Sequence, residues 1–159
     1  MKGGHDMAAL GFKGSAGDVV RLSNRIRVVK SFRGIDLEGF EARTRKGYEA
    51  LMLVFLTHSA LEQYLRLTKQ EIEHLESLHR SRGSEQLLAD IFDSEDPKGK
   101  LFDFLHARLK HKVKQDLTAC GDRKSCNVAF VSAAIRHIFA HGYLTANPNE
   151  MKPEPVQRI

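Results

Sequence analysis

The sequence contains no long apolar run and only two cysteines. Its longest apolar stretch in 159 residues runs from Ala50 to Leu56, whereas a helix that spans a bilayer needs roughly 18 or more apolar residues. Residues 1–6 lack the apolar core of a signal peptide. We therefore expect a cytoplasmic protein with no membrane partner, in which Cys120 and Cys126 stay reduced.

Several motifs that carry chemistry are missing. The chain has no Cys-x2-Cys pair, no His-Glu-x-x-His and neither of the two common glycine-rich phosphate-binding loops. His137 and His141 are four residues apart, a spacing that can place two ligands on one metal ion, and His106 and His111 precede them. Because no further ligand spacing supports such a site, we predict neither a metal nor a cofactor.

The positive charge is concentrated near the N-terminus. The net charge is +5, and residues 1–33 hold seven Lys or Arg against two Asp, so the remainder of the chain is balanced. This excess is either a solvated helix face or an arm that attracts a polyanion such as RNA. The candidate RNA-binding residues are Arg21, Arg25, Arg27, Lys30 and Arg33.

The pattern of apolar residues predicts helices throughout and no strand. We expect a flexible segment over residues 1–17, a helical bundle over 18–146 and an irregular, proline-containing tail over 147–159. The predicted fold is all-α, an antiparallel bundle of about five helices with a long, buried second helix. The predicted helices span residues 18–32, with Asp18 as the cap, then 36–68, 84–92, 100–118 and 127–141; the alternative for the second helix is a continuation to Leu78 after a break near Thr68.

The last predicted helix has a chemically distinct side. At about 100° per residue its core side carries Val128, Val131, Ile135, Ile138 and Phe139. The other side carries Ser132, Arg136, His137 and His141, with Ala129, Ala133 and Ala140 between them. Arg136 and His141 lie about 140° apart on an ideal helix, so they can flank a shallow trough floored by alanines. A second copy of the helix or a nucleic-acid backbone would fit this trough.

The segment Arg136-His137-Ile138-Phe139-Ala140-His141-Gly142 resembles the R-x4–6-H motif of HEPN domains (higher eukaryotes and prokaryotes nucleotide-binding). His137 matches the polar residue that usually follows the arginine in that family. The all-helical pattern over residues 18–146, with its long apolar second helix, is also similar to these domains. The helix macrodipole alone also favours Arg and His near a helix C-terminus, so the specific part of the resemblance is these seven residues.

The resemblance implies a homodimer with the motif helices facing each other, and in many members a metal-independent endoribonuclease of toxin–antitoxin, antiphage or RNA-processing systems. Arg136 and His141 take the catalytic positions, and His137 the accessory one; Ser132 on the same side is a further accessory candidate. The expected reaction is attack by the RNA 2′-OH, leaving a 2′,3′-cyclic phosphate. Other members have lost activity, so a module that binds RNA, a nucleotide or a partner protein, such as an antitoxin, is the alternative.

Two further polar groups are expected to be structural. His58 lies within the apolar second helix, where a hydrogen-bonded core histidine is the favoured interpretation. The acidic residues at and beyond the end of the third predicted helix are interpreted as a solvated loop and comprise Asp90, Asp93, Glu95 and Asp96.

Overall fold

A computed structural model describes residues 11–75, 83–122, 127–142 and Val156. Most of the predicted N-terminal flexible segment and almost all of the predicted tail therefore lie outside the described residues. The described part is all-helical and contains no strand, which confirms the predicted all-α bundle.

In the part of the chain that the structure describes, the fold comprises six α-helices and one short 3-10 helix. Their bounds are α1 Ala16–Ser31, α2 Ala42–Thr68, the 3-10 helix Ile72–Leu75, α3 Ser84–Glu95, α4 Lys100–Arg108, α5 His111–Gly121 and α6 Val128–Ala140. The long second helix of the prediction is α2, and its motif helix is α6. Six helices replace the predicted five because the segment predicted as one helix over 100–118 is two.

The start of α1 differs from the prediction by three residues. Ser15, not Asp18, is the N-cap residue, and the two form a capping box in which each side chain binds the other's backbone N–H. The Asp18 carboxylate also binds Arg21 at 2.7 Å and Arg66 at 3.1 Å, which joins α1 to α2. The hydrogen bond from Arg21, followed by those from Ser15, holds the pKa of Asp18 well below its usual range.

The second helix begins six residues later than predicted and ends where predicted. Gly34 and Gly39 have positive φ angles of 124° and 78°, so the backbone over 34–40 cannot continue a helix. After Thr68, Lys69 adopts a left-handed conformation with φ 54° and ends α2.

No glycine or proline marks the break between α4 and α5 in the sequence. Leu109 is extended and His111 has a φ of 53°, so the chain leaves the helix and restarts it within three residues.

Asp96 accepts hydrogen bonds from the backbone N–H groups of Leu101 and Phe102, at 2.9 and 3.1 Å. The interpretation of a solvated acidic loop is therefore wrong at Asp96, whose carboxylate binds backbone N–H groups in the first turn of α4, although Gly99 is the N-cap residue. It is also wrong at Asp90, Asp93 and Glu95, which lie in α3.

The core is built around the contact between α2 and α6. Val131, Ala134, Ile135 and Ile138 of α6 are each 0% exposed. They pack with the α2 residues Ala50, Leu51 and Val54 and with apolar residues of α3, α4 and α5. The predicted core side of the last helix is confirmed, and this packing fixes which side of α6 remains free for chemistry.

Candidate functional site

The candidate site lies at the edge of the contact between α2 and α6. Because Ile135 and Ile138 are fully buried, the intervening Arg136 and His137 are turned toward the rim of that contact. Arg136 is 36% exposed, and its Nη2 donates a hydrogen bond to Glu62 Oε2 of α2 at 3.3 Å. Among the described residues Glu62 is the only hydrogen-bonding partner of Arg136, so the other donors of the guanidinium remain available to a ligand.

Below this ion pair, His58 is buried between the two helices. Its side chain is 3% exposed, and Nδ1 lies 3.0 Å from the hydroxyl oxygen of Ser132 on α6. Ser132 Oγ also donates a hydrogen bond to Ala129 O at 2.9 Å. The prediction of a hydrogen-bonded core histidine is confirmed, and the accessory candidate Ser132 is its partner.

The charges of Glu62 and Arg136 also affect the pKa of His58. Its Nε2 lies 3.9 Å from Glu62 Oε1. Burial lowers the pKa of His58, the carboxylate of Glu62 opposes this effect and the positive charge of Arg136 adds to it. The imidazole is therefore held in its neutral form inside the contact.

The two motif histidines lie together at the exposed end of α6. The rings of His137 and His141 are in edge-to-face contact, with centroids 4.5 Å apart and an angle of 63° between their planes. His141 is the C-cap residue, and Gly142 follows with a positive φ of 73° that ends the helix as predicted. Arg136 binds Glu62 while His141 contacts His137, so a single chain shows no contact between the two predicted catalytic side chains in its described part.

A groove of about 460 Å³ adjoins the ion pair and shares Glu62 with it. Ala133 and Phe130 of α6 line the groove, whereas Ala129 is buried and Ala140 is exposed. The predicted trough is therefore floored by only one of its three alanines. The remaining lining includes the carboxylates Glu71, Glu73 and Asp116 and one cation, Lys112.

These carboxylates determine what the groove can accept. Lys112 forms an ion pair with Glu73, so it neutralises only one of them. Burial raises the pKa of Asp116, with Lys112 acting in the opposite direction. A groove of this charge repels a phosphate backbone, so a phosphate would have to bind Arg136 from outside the groove.

The five basic candidates between residues 21 and 33 differ in their hydrogen-bonding partners. Arg21 binds Asp18, Arg25 binds Gln63 Oε1 at 2.8 Å, and Arg33 binds the backbone carbonyls of Lys30 and Phe32. Arg27 and the Lys30 side chain are exposed and have no charged partner in the part of the chain that the structure describes. Arg25 and Arg33 bind only neutral groups, so in the described residues Arg21 is the one candidate of the five whose charge is paired with a carboxylate.

Among the described residues, the other histidines and Cys120 give no convergent site. His106 stacks on Phe102 with ring centroids 5.8 Å apart, and its Nε2 lies 3.1 Å from Thr118 Oγ1. Within residues 11–75, 83–122 and 127–142, no three His, Cys, Asp or Glu side chains are grouped to hold a metal ion. Cys120 is disulfide-bonded, so the prediction of reduced thiols is wrong for this residue; Cys126 lies outside the described residues.

Glu62 is the functional candidate that sequence reasoning did not assign. The available signal was its position four residues after His58 on an apolar helix, which places both polar side chains on one face. Its partner Arg136 is 74 residues away in the sequence, and only the packing of α2 against α6 joins them.

Comparison with known proteins adds no relative. No protein-family model, curated protein or solved structure matches the chain. Among the described residues, none of the helices combines the length and apolar character required to cross a membrane.

Proposed function

We propose that the chain is a metal-independent endoribonuclease that acts as a dimer through α6, as its resemblance to HEPN domains implies. The observation that carries this proposal is that the C-terminal part of α6 and its C-cap carry Arg136, which is held by Glu62, and the ring pair of His137 and His141. A guanidinium and an imidazole at one accessible edge suffice for cleaving a phosphodiester that supplies its own nucleophile.

In the proposed reaction the RNA 2′-oxygen attacks the adjacent phosphorus, and the bond from phosphorus to the 5′-oxygen breaks. A neutral His141 of one protomer accepts the proton of the 2′-OH. The partner's His141, in its protonated form, donates a proton to the leaving 5′-oxygen. Arg136 stabilises the additional negative charge on the phosphoryl oxygens in the transition state. The products are a 2′,3′-cyclic phosphate and a 5′-hydroxyl, and DNA, which lacks the 2′-OH, stays intact.

End-labelled RNA incubated in excess chelator tests this proposal. We expect Arg136→Ala and His141→Ala each to lower the cleavage rate by about 100-fold or more. His111→Asn is a matched control, because it removes an exposed imidazole from a left-handed position that asparagine tolerates. Wild-type rates in the His141→Ala protein, or products that end in a 3′-hydroxyl, would contradict the assigned chemistry.

The second candidate is a catalytically silent module of the same kind that binds a partner protein. The acidic groove beside Arg136 favours it, since Glu62, Glu71 and Asp116 attract cationic side chains and repel RNA. In a toxin–antitoxin or defence setting such a partner would be an antitoxin. This candidate predicts that RNA remains intact in the cleavage assay at every protein concentration.

A further inference from the structure

We propose that Glu62 is a positioning residue that fixes the guanidinium of Arg136 for its phosphate ligand, and that buried His58 secures the helix register which makes this possible. The inference rests on the proposed function in taking a phosphate as the ligand of Arg136. It extends the site from the end of α6 to α2, where the motif contributes no residue.

Two polar contacts join α2 and α6. The buried contact of His58 with Ser132 is called the inner rung, and the accessible contact of Glu62 with Arg136 is called the outer rung. His58 and Glu62 are one helical turn apart on α2, and Ser132 and Arg136 are one turn apart on α6. Each residue of the first pair meets one residue of the second, at 3.0 Å for His58 and Ser132 and at 3.3 Å for Glu62 and Arg136. Because α2 and α6 run antiparallel, with Phe55 against Phe139 and Leu65 near Ala129, the two contacts cross, and a shift of one helix along the other would lengthen at least one of them.

The inner rung is the one that fixes the register. His58 is 3% exposed, and its nitrogen would lose its partner in the core if α6 moved along α2. The apolar neighbours Ile135 and Ile138 are 0% exposed, so they lock the same alignment. The outer rung is accessible, with 36% exposure for Arg136 and 43% for Glu62, and its arrangement follows from the inner one.

The contact with Glu62 restrains the guanidinium of Arg136 but uses only part of its hydrogen-bonding capacity. The contact uses one N–H group of Nη2 and one carboxylate oxygen, so the second N–H group of Nη2, together with its neighbour on the same edge of the guanidinium, stays free to bind two phosphoryl oxygens. A long, flexible side chain is thereby restricted before the substrate arrives, which lowers the ordering cost of forming the transition state. Glu62 touches no substrate atom in this arrangement and acts only through Arg136.

An NMR titration of the His58 imidazole tests the network independently of catalysis. The charge of Glu62 raises the pKa of His58 and that of Arg136 lowers it. We therefore expect Glu62→Gln to lower this pKa and Arg136→Ala to raise it. Glu71→Gln is the matched control, since Glu71 is an exposed carboxylate on the same groove, and it should leave the titration unchanged. An unchanged His58 pKa in both variants would overturn the proposal.

Cleavage kinetics supply the second readout. We expect Glu62→Gln to lower kcat by about 10- to 100-fold with little change in KM, because a misplaced guanidinium loses mainly transition-state stabilisation. Wild-type kcat in this variant would overturn the positioning role. A wild-type protein that leaves RNA intact contradicts the nuclease proposal, whereas the His58 titration still decides the Glu62–Arg136 contact. The two failures are therefore distinguishable.

Discussion

The imidazole of His58 lies 3.0 Å from the hydroxyl of Ser132, and this contact sits inside the packing of α2 against α6. Burial lowers the pKa of His58 below its ordinary value of 6.5. The unfolded chain therefore takes up a proton at a higher pH than the folded chain does. The stability associated with neutral His58 is fully present above about pH 6.5 and is lost as the pH falls toward the lower pKa of the folded state.

We accordingly expect the free energy of unfolding to decrease between pH 7.5 and pH 5, and His58→Gln to weaken this dependence. Glutamine retains a donor and an acceptor for Ser132 but does not titrate. Urea unfolding at the two pH values measures the effect. His111→Asn is the control, because the His111 side chain is exposed and has no hydrogen-bonding partner among the described residues, so the slope should stay as it is in the wild type. Identical slopes in the wild type and His58→Gln would contradict this prediction, because they would mean that the pKa of His58 is the same in the folded and the unfolded chain.

The fold was largely predictable because its helices obey the local rules. The buried stripe of α6, its Asn127 cap and the glycine after it all agree with one another, and the structure confirms them. The break between α4 and α5 was not predictable, because apolar residues continue at helical spacing through Leu105, Leu109 and Val113 while the backbone departs from the helix. Tertiary packing overrides local preference at this point.

Sequence reasoning could predict the candidate site residues on α6 but not their partner on α2. The positions of Arg136, His137 and His141 follow from the sequence of α6, and the structure places their side chains at one accessible end. The pairing of Arg136 with Glu62 depends on the relative alignment of two helices far apart in the sequence. No local pattern encodes that alignment, so the partner of the arginine emerges only from the packed structure.

The capping box at the start of α1 predicts a stability effect remote from the site. Ser15 Oγ accepts a hydrogen bond from Asp18 N at 3.2 Å, and Ser15 N donates to Asp18 Oδ2 at 2.9 Å. Removing the hydroxyl in Ser15→Ala leaves the backbone N–H of Asp18 without this partner, and we expect a loss of about 0.5–2 kcal/mol in unfolding free energy. Urea denaturation provides the measurement.

The control for this change is Ser23→Ala, at an exposed position within α1. Alanine has a high helix propensity, so this variant should be as stable as the wild type or slightly more stable. Equal effects of the two substitutions would mean that the box contributes nothing beyond helix propensity.

The proposed dimer through α6 makes a prediction at Ala140, an exposed small residue one position before His141. In a two-fold interface formed by this helix, each copy would bring the same residue to the partner. Ala140→Arg then introduces two bulky side chains of like charge into the interface. We expect sedimentation velocity to show twice the mass of one chain for the wild type and a single chain for the variant, with RNA cleavage lost in parallel.

Ala107→Arg is the matched control, because Ala107 is an exposed alanine on α4, and this variant should remain dimeric and active. The comparison separates disruption of one interface from a general effect of added charge, since both variants gain the same side chain. A wild-type monomer that cleaves RNA at protein concentrations where no dimer is detected would contradict the composite site, because the proposed acid, the partner's His141, would then be missing. A fully active dimer of Ala140→Arg would place the interface on another surface.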